Sequence, residues 1–173
     1  MSSTPSTPSN PDNLSTTRFP VGVDAALREA GWRPGRWDIK LAEHWADILR
    51  AHTSPGGHRH TVFPAAVESW AEFGGLRVTA LEAGRQIAPP ELRIDPLYGL
   101  HLARTLADLG RALDTELAPL GVEGDDQAVL AIDTAGRVFS VDHTGDWYVG
   151  ATLDAALTHL LLGRTPHRLT ASR

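Results

Sequence analysis

Apolar residues recur along this chain at two spacings, and the change of spacing marks its elements. In "VDAALREAGW" the residues Val23, Ala26, Leu27 and Ala30 share one face at helical period, so the pattern predicts a first helix. Gly31 fits the position just past its end, and Trp32 can fold back on that end. After the turn "RPGRWD", Asp38 is placed to cap a second helix whose stripe is Leu41, Trp45, Ile48 and His52. "TSPGGHRH" breaks it. A third helix begins at Pro64, buries Phe63, Val67, Trp70 and Ala71, and ends at Gly74–Gly75.

From there the period drops to two. "LRVTALE" sets Leu76, Val78 and Ala80 against Arg77, Thr79 and Leu81, the pattern of a half-buried strand. "ELRID" offers Leu92 and Ile94 as an antiparallel partner. Leu102, Leu106 and Leu109 return to helical spacing, and "TELAPLGVEGDD" reads as irregular or extended. "QAVLAIDTAGRVFSVD" predicts a hairpin, with Val129–Asp133 going out, Thr134–Gly136 turning and Arg137–Val141 returning. "WYVG" can add a short strand. Thr152 caps a last helix with Leu153, Leu157, Leu160 and Leu161 on its apolar face and Gly163 at its end. Nothing alternates as strand–helix–strand. The expectation is therefore a single-domain α+β fold, mainly an antiparallel sheet with helices packed on one face.

The series "EAGW", "PGR", "EFGGLRV", "LAPLG", "VLAIDTAGRVF" and "LLLG" resembles the SUKH superfamily, and within it the third subfamily, over roughly Phe19 to Pro166. The resemblance implies a compact α+β fold and the role of a bacterial immunity protein. Such a protein is made beside a toxin, often a nuclease or a nucleic-acid deaminase, and neutralises it by binding. It implies no catalytic residues and no cofactor. A scaffold or regulatory adaptor unconnected to a toxin is the alternative, as eukaryotic relatives imply. The expected domain is 18–167, between a tail over 1–17 of Ser, Thr, Pro and Asn, too polar to order itself, and a flexible 168–173.

Composition narrows the chemistry. There is no cysteine, which excludes disulfides, thiolate nucleophiles and cysteine-held metals. No apolar run approaches the ~20 residues of a membrane span and no secretory signal is visible, so a cytoplasmic protein is expected. A metal-dependent hydrolase would have to use His58 and His60, near His52, with a carboxylate such as Glu43, and no metal is expected. Phosphate-loop and nucleophile-elbow motifs are missing, and "DHTGD" lacks the spacing of a calcium loop.

Net charge is −5, which disfavours direct binding to nucleic acid, and it is unevenly spread. Between Pro119 and Asp154 the acids Glu123, Asp125, Asp126, Asp133, Asp142, Asp146 and Asp154 face one base, Arg137, for a sum of −6. Toxins that hold phosphates need cationic grooves, and an anionic surface suits such a partner. The expected partner-binding residues are Glu123, Asp125, Asp126, Asp142, Asp146, Trp147 and Tyr148, with Trp147 or Tyr148 as the apolar anchor. Trp45 and Trp70 are expected in the core, Trp37 and Trp147 partly exposed.

Overall fold

A computed structural model describes residues 17–125 and 128–170. Nearly all of the expected N-terminal tail, half of the expected C-terminal tail, and Asp126 lie outside the described residues. The order is helices α1 (Val21–Glu29), α2 (Ile39–Ala51) and α3 (Pro64–Phe73), strands β1 (Arg77–Val78) and β2 (Leu92–Arg93), a 3₁₀ segment Pro96–Leu102 leading into α4 (Ala103–Leu113), strands β3 (Leu117–Glu123), β4 (Ala128–Asp133), β5 (Val138–Asp142) and β6 (Gly145–Gly150), helix α5 (Leu153–Leu161), and β7 (His167–Arg168). The strands form one antiparallel sheet in chain order, β1 to β7.

The capping chemistry is local. The Asp38 side chain accepts from the Leu41 N–H at the start of α2, and that of Thr152 from the Ala155 N–H at the start of α5. Pro64 sits in the first turn of α3, where its missing N–H removes no helical bond. The abrupt passage from α3 into the sheet uses its two glycines differently. A Cβ on Gly74 would collide with the Trp70 carbonyl and the Trp45 ring, so that position needs the space. Gly75 has φ 81°, so it needs the conformation. Its N–H then bonds the Ile94 carbonyl at 2.7 Å, and the Ile94 N–H bonds the Leu76 carbonyl at 3.0 Å. The sheet begins at once.

Alternation along the strands puts the core on both sides of the sheet. Leu130, Ile132 and Val138 face a layer built from α1, α2, α3 and α5, with Trp32, Trp45, Trp70, Leu92 and Leu120 in the same cluster. The helix layer expected on one face is thus present. The opposite face is also covered: Ala131, Phe139 and Val141 pack with Leu106 and Leu109 of α4. Double coverage explains why β3, with a proline and two other small residues, is buried for six of its seven residues. Its irregular look in the sequence comes from Pro119 and Gly121, between which the register slips. Pro119 offers no N–H, but its carbonyl accepts the buried Trp70 indole N–H at 3.0 Å. A Cβ on Gly121 would strike the β2 backbone at Arg93.

The stripe of α2 is rotated from the expected one. Ala42, Trp45, Ala46 and Leu49 are buried, while Leu41, Ile48 and His52 flank them half-buried.

Candidate partner-binding surface

In an antiparallel meander every second turn lies at the same end. The β3–β4 turn after Glu123 and the β5–β6 turn after Asp142 are therefore neighbours, fixed by the registers Glu123↔Ala128, Val129↔Val141 and Asp142↔Gly145. Two acidic stretches far apart in sequence meet at one end of the sheet. Asp125 is exposed in the first turn, while Asp142 and Asp146 are partly exposed at the second.

Alternation then sorts the seven expected residues. Ser140 pairs with Trp147 and with Leu130, so Glu123, Ser140, Asp142 and Trp147 share the face of the main helix layer. Asp146 pairs with Val141 and Tyr148 with Phe139, which puts both on the α4 face. The Tyr148 ring packs edge-on to Phe139 at 5.9 Å, as part of the second cluster. Trp147 is half-buried, with the Arg168 guanidinium 5.7 Å from its ring. Trp147 and Tyr148 thus point to opposite sides.

The acids also differ in charge state. Burial pushes the Glu123 carboxyl up to about 7; neighbouring Asp142 adds to this, and Ser140 opposes it. Ser140 lies close enough to favour the ionised form, yet neither Ser140 Oγ nor Glu123 Oε2 has a partner in hydrogen-bond geometry. Asp142 goes the other way. Burial would raise it, but the Thr144 hydroxyl, the Thr144 and Gly145 N–H groups and the Trp147 indole together hold it below the usual range. Two further acids of the segment are spoken for elsewhere. Asp133 is fully buried, accepting from the Ala135 N–H, the Arg137 N–H and Arg137 Nε at 2.6 Å. Asp154 pairs with Arg18 at 2.6 Å. Among the described residues, the acids that face outward at this end are Asp125, Asp142 and Asp146, fewer than the seven acids of the segment.

The opposite end of the molecule holds a feature the sequence does not announce. A groove of about 330 Å³ runs between α3, α5 and the β4–β5 turn, lined by Arg18, Glu68, Glu72, Phe73 and Asp154, with Trp37 on its wall. Trp37 is 55 % exposed, the most exposed tryptophan. Its place beside Arg36 and Asp38 in a turn was the available signal, and helical periodicity carries none for a residue outside a helix.

A family model described as SUKH-3 immunity protein matches residues 19–163. The chain belongs to this family. Nothing among curated proteins or solved structures matches it. The SUKH-3 match ends at Gly163, before β7, so the strand that brings Arg168 to Trp147 lies outside the matched stretch. Membership points to a toxin-immunity function. Among the described residues no helix is long and apolar enough to cross a membrane.

The histidine loop of this SUKH-3 chain is folded inward. A bridge between Thr53 and Arg59 closes it. His60 is buried and its Nε2 donates to the Leu100 carbonyl at 2.6 Å. The His52 ring lies 6.0 Å from that of His60 and 5.2 Å from that of His101. Among the described residues no group of three or more histidines and carboxylates is set to hold a metal ion. Burial, with the neighbouring His52 and His101, lowers the His60 pKa against the pull of the Leu100 carbonyl. The geometry is that of a packed loop.

Proposed function

We propose that this SUKH-3 protein neutralises a cognate toxin of bacterial competition, a nuclease or nucleic-acid deaminase, by one-to-one binding that covers the toxin's cationic groove. It acts inside the producing cell and makes or breaks no bonds. The observation that carries the reading is the meeting of Asp125, Asp142 and Asp146 at one end of the sheet in a member of an immunity family. Phosphate-binding grooves are cationic, and complementary charge can raise association rates toward ~10⁸–10⁹ M⁻¹s⁻¹ at low salt. Speed matters where free toxin kills.

The test is co-expression with the product of each adjacent gene, followed by binding kinetics of the purified pair. Protection of the cell and a 1:1 complex are expected. Asp125→Asn with Asp146→Asn should slow association by roughly 3–10-fold at low salt, with little change in dissociation. Asp142 is left intact because it holds its own turn. Protection against none of these products, or association rates indifferent to salt and to the two substitutions, would overturn the reading.

A further inference from the structure

Trp37, on the groove at the other end of the molecule, is 55 % exposed, yet the turn that presents it is tightly held. Arg36, just before it, donates through Nη1 to the Glu72 carbonyl at 2.6 Å and through Nη2 to the Gly74 carbonyl at 2.8 Å, closing the end of α3. Just after it, the Asp38 N–H bonds the Ala71 carbonyl at 2.8 Å, and the Asp38 side chain caps α2. The indole is thus anchored on both sides while much of its surface stays in water. Exposed aromatic surface does nothing for the stability of the free protein. A ring already held in place loses little freedom when a partner covers it.

The groove beside the ring, of about 330 Å³, has Phe73 and Leu153 among its apolar lining and the carboxylates of Glu68, Glu72 and Asp154 around it. Among the described residues that line it, Arg18 is the one cation, and it is already shared between Glu72 and Asp154 at 2.6–3.0 Å. Glu68 is exposed on α3 and has no ion pair among the described residues. Three carboxylates against one guanidinium leave an excess of two negative charges beside an electron-rich ring. A cation meets both features at once, since it is attracted to a carboxylate and to the face of an indole. Arg18 shows the same pairing on the inner wall, with its guanidinium 5.7 Å from the Phe73 ring and 2.7 Å from Glu72. An apolar side chain next to that cation would be covered by the apolar lining, whereas an acidic one would be repelled.

We propose that this groove docks a segment of a partner protein in which an arginine or lysine stands beside a large apolar residue. The cation lies on the Trp37 ring and pairs with Glu68, and the apolar side chain enters the groove between α3 and α5. This surface is separate from the acidic end of the sheet, and its use does not depend on the immunity reading.

The probe is the peptide acetyl-Leu-Arg-Leu-amide, added to the ¹⁵N-labelled full chain, with acetyl-Leu-Glu-Leu-amide and acetyl-Gly-Arg-Gly-amide as controls. The readouts are the Trp37 indole N–H cross-peak, assigned by its loss in Trp37→Phe, and the backbone N–H of Gly136, which borders the groove. The arginine–leucine peptide should move both peaks saturably, and its binding should weaken from about 0.05 M to about 1 M salt. Glu68→Gln should weaken it by roughly 2–5-fold. Trp37→Ala, at an exposed position, should keep the fold and weaken binding by roughly 10-fold or more, read on Gly136. No shift at either peak, an equal shift from either control, or unchanged binding in Trp37→Ala would each overturn the docking groove. A chain that takes the peptide yet protects against no toxin keeps the groove and loses only the immunity reading.

Discussion

Glu123 is a carboxyl that the fold holds against its own ionisation, and that has a measurable sign. Its folded value of about 7 lies above the ordinary 4.5, so the native state binds more protons than the unfolded chain across that window. Stability should fall as pH rises from about 4.5 to 7 through this group, and Glu123→Gln should remove that slope. The difference between the two proteins, from denaturant melts at pH 5 and pH 8, should be roughly 1–3 kcal/mol. Parallel pH profiles for the two would show that the side chain is hydrated after all. Only the identity of Glu123 was legible in the sequence. It reads there as one acid among seven, because burial and the neighbouring Asp142 arise from strands that meet after folding. The same holds for Asp133, which looks like surface charge and is instead wholly enclosed by its own turn and Arg137.

The junction between α3 and β1 decides how two elements join, and its glycines answer to different physics. Gly74→Ala pushes a Cβ into the Trp70 carbonyl and the Trp45 ring, neither of which can swing aside. It should cost about 2 kcal/mol or more. Gly75→Ala makes only an ordinary contact with the Leu41 side chain but keeps φ 81°, which costs about 1–2 kcal/mol. Thermal melts should rank Gly74→Ala as the worse of the two; the reverse order would mean that backbone conformation, not space, governs the junction. Elements with strong local signals were legible: the caps Asp38 and Thr152, the turn at Thr134–Gly136, and the leucines of α5. The others have little local signal. β3 carries Pro119 and Gly121 and becomes a strand only because β2 and β4 flank it, and β7 is two exposed residues held by β6.

Arg18 shows how the termini and layers are tied. Its guanidinium spans Asp154 of α5 and Glu72 of α3, at 2.6–3.0 Å, and lies 5.1–5.8 Å from the rings of Phe19, Trp32 and Phe73. Glu72 also accepts the Trp32 indole N–H at 3.1 Å. Because Arg18 is 44 % exposed, water and salt screen the pair. Arg18→Gln should therefore lower stability by only about 1 kcal/mol, less at 1 M salt than at 0.05 M, in melts at both salts. A larger and salt-independent loss would make packing on the three rings the main contribution. The charge distribution is likewise a property of the folded protein: strand order puts Asp133 and Asp154 at the other end, each paired with an arginine, and brings Asp125 to Asp142.

The amino-acid order carried what is short-range: helix periods, caps, turns, the antiparallel hairpin and, through their sequence of landmarks, the SUKH-3 family. These depend on residues a few positions apart, whose energies act before the chain is compact. Which acids are exposed, which are neutralised, and that Trp147 and Tyr148 turn to opposite sides were decided by the sheet. Those properties come from burial and from contacts between strands, and neither exists until the strands are paired.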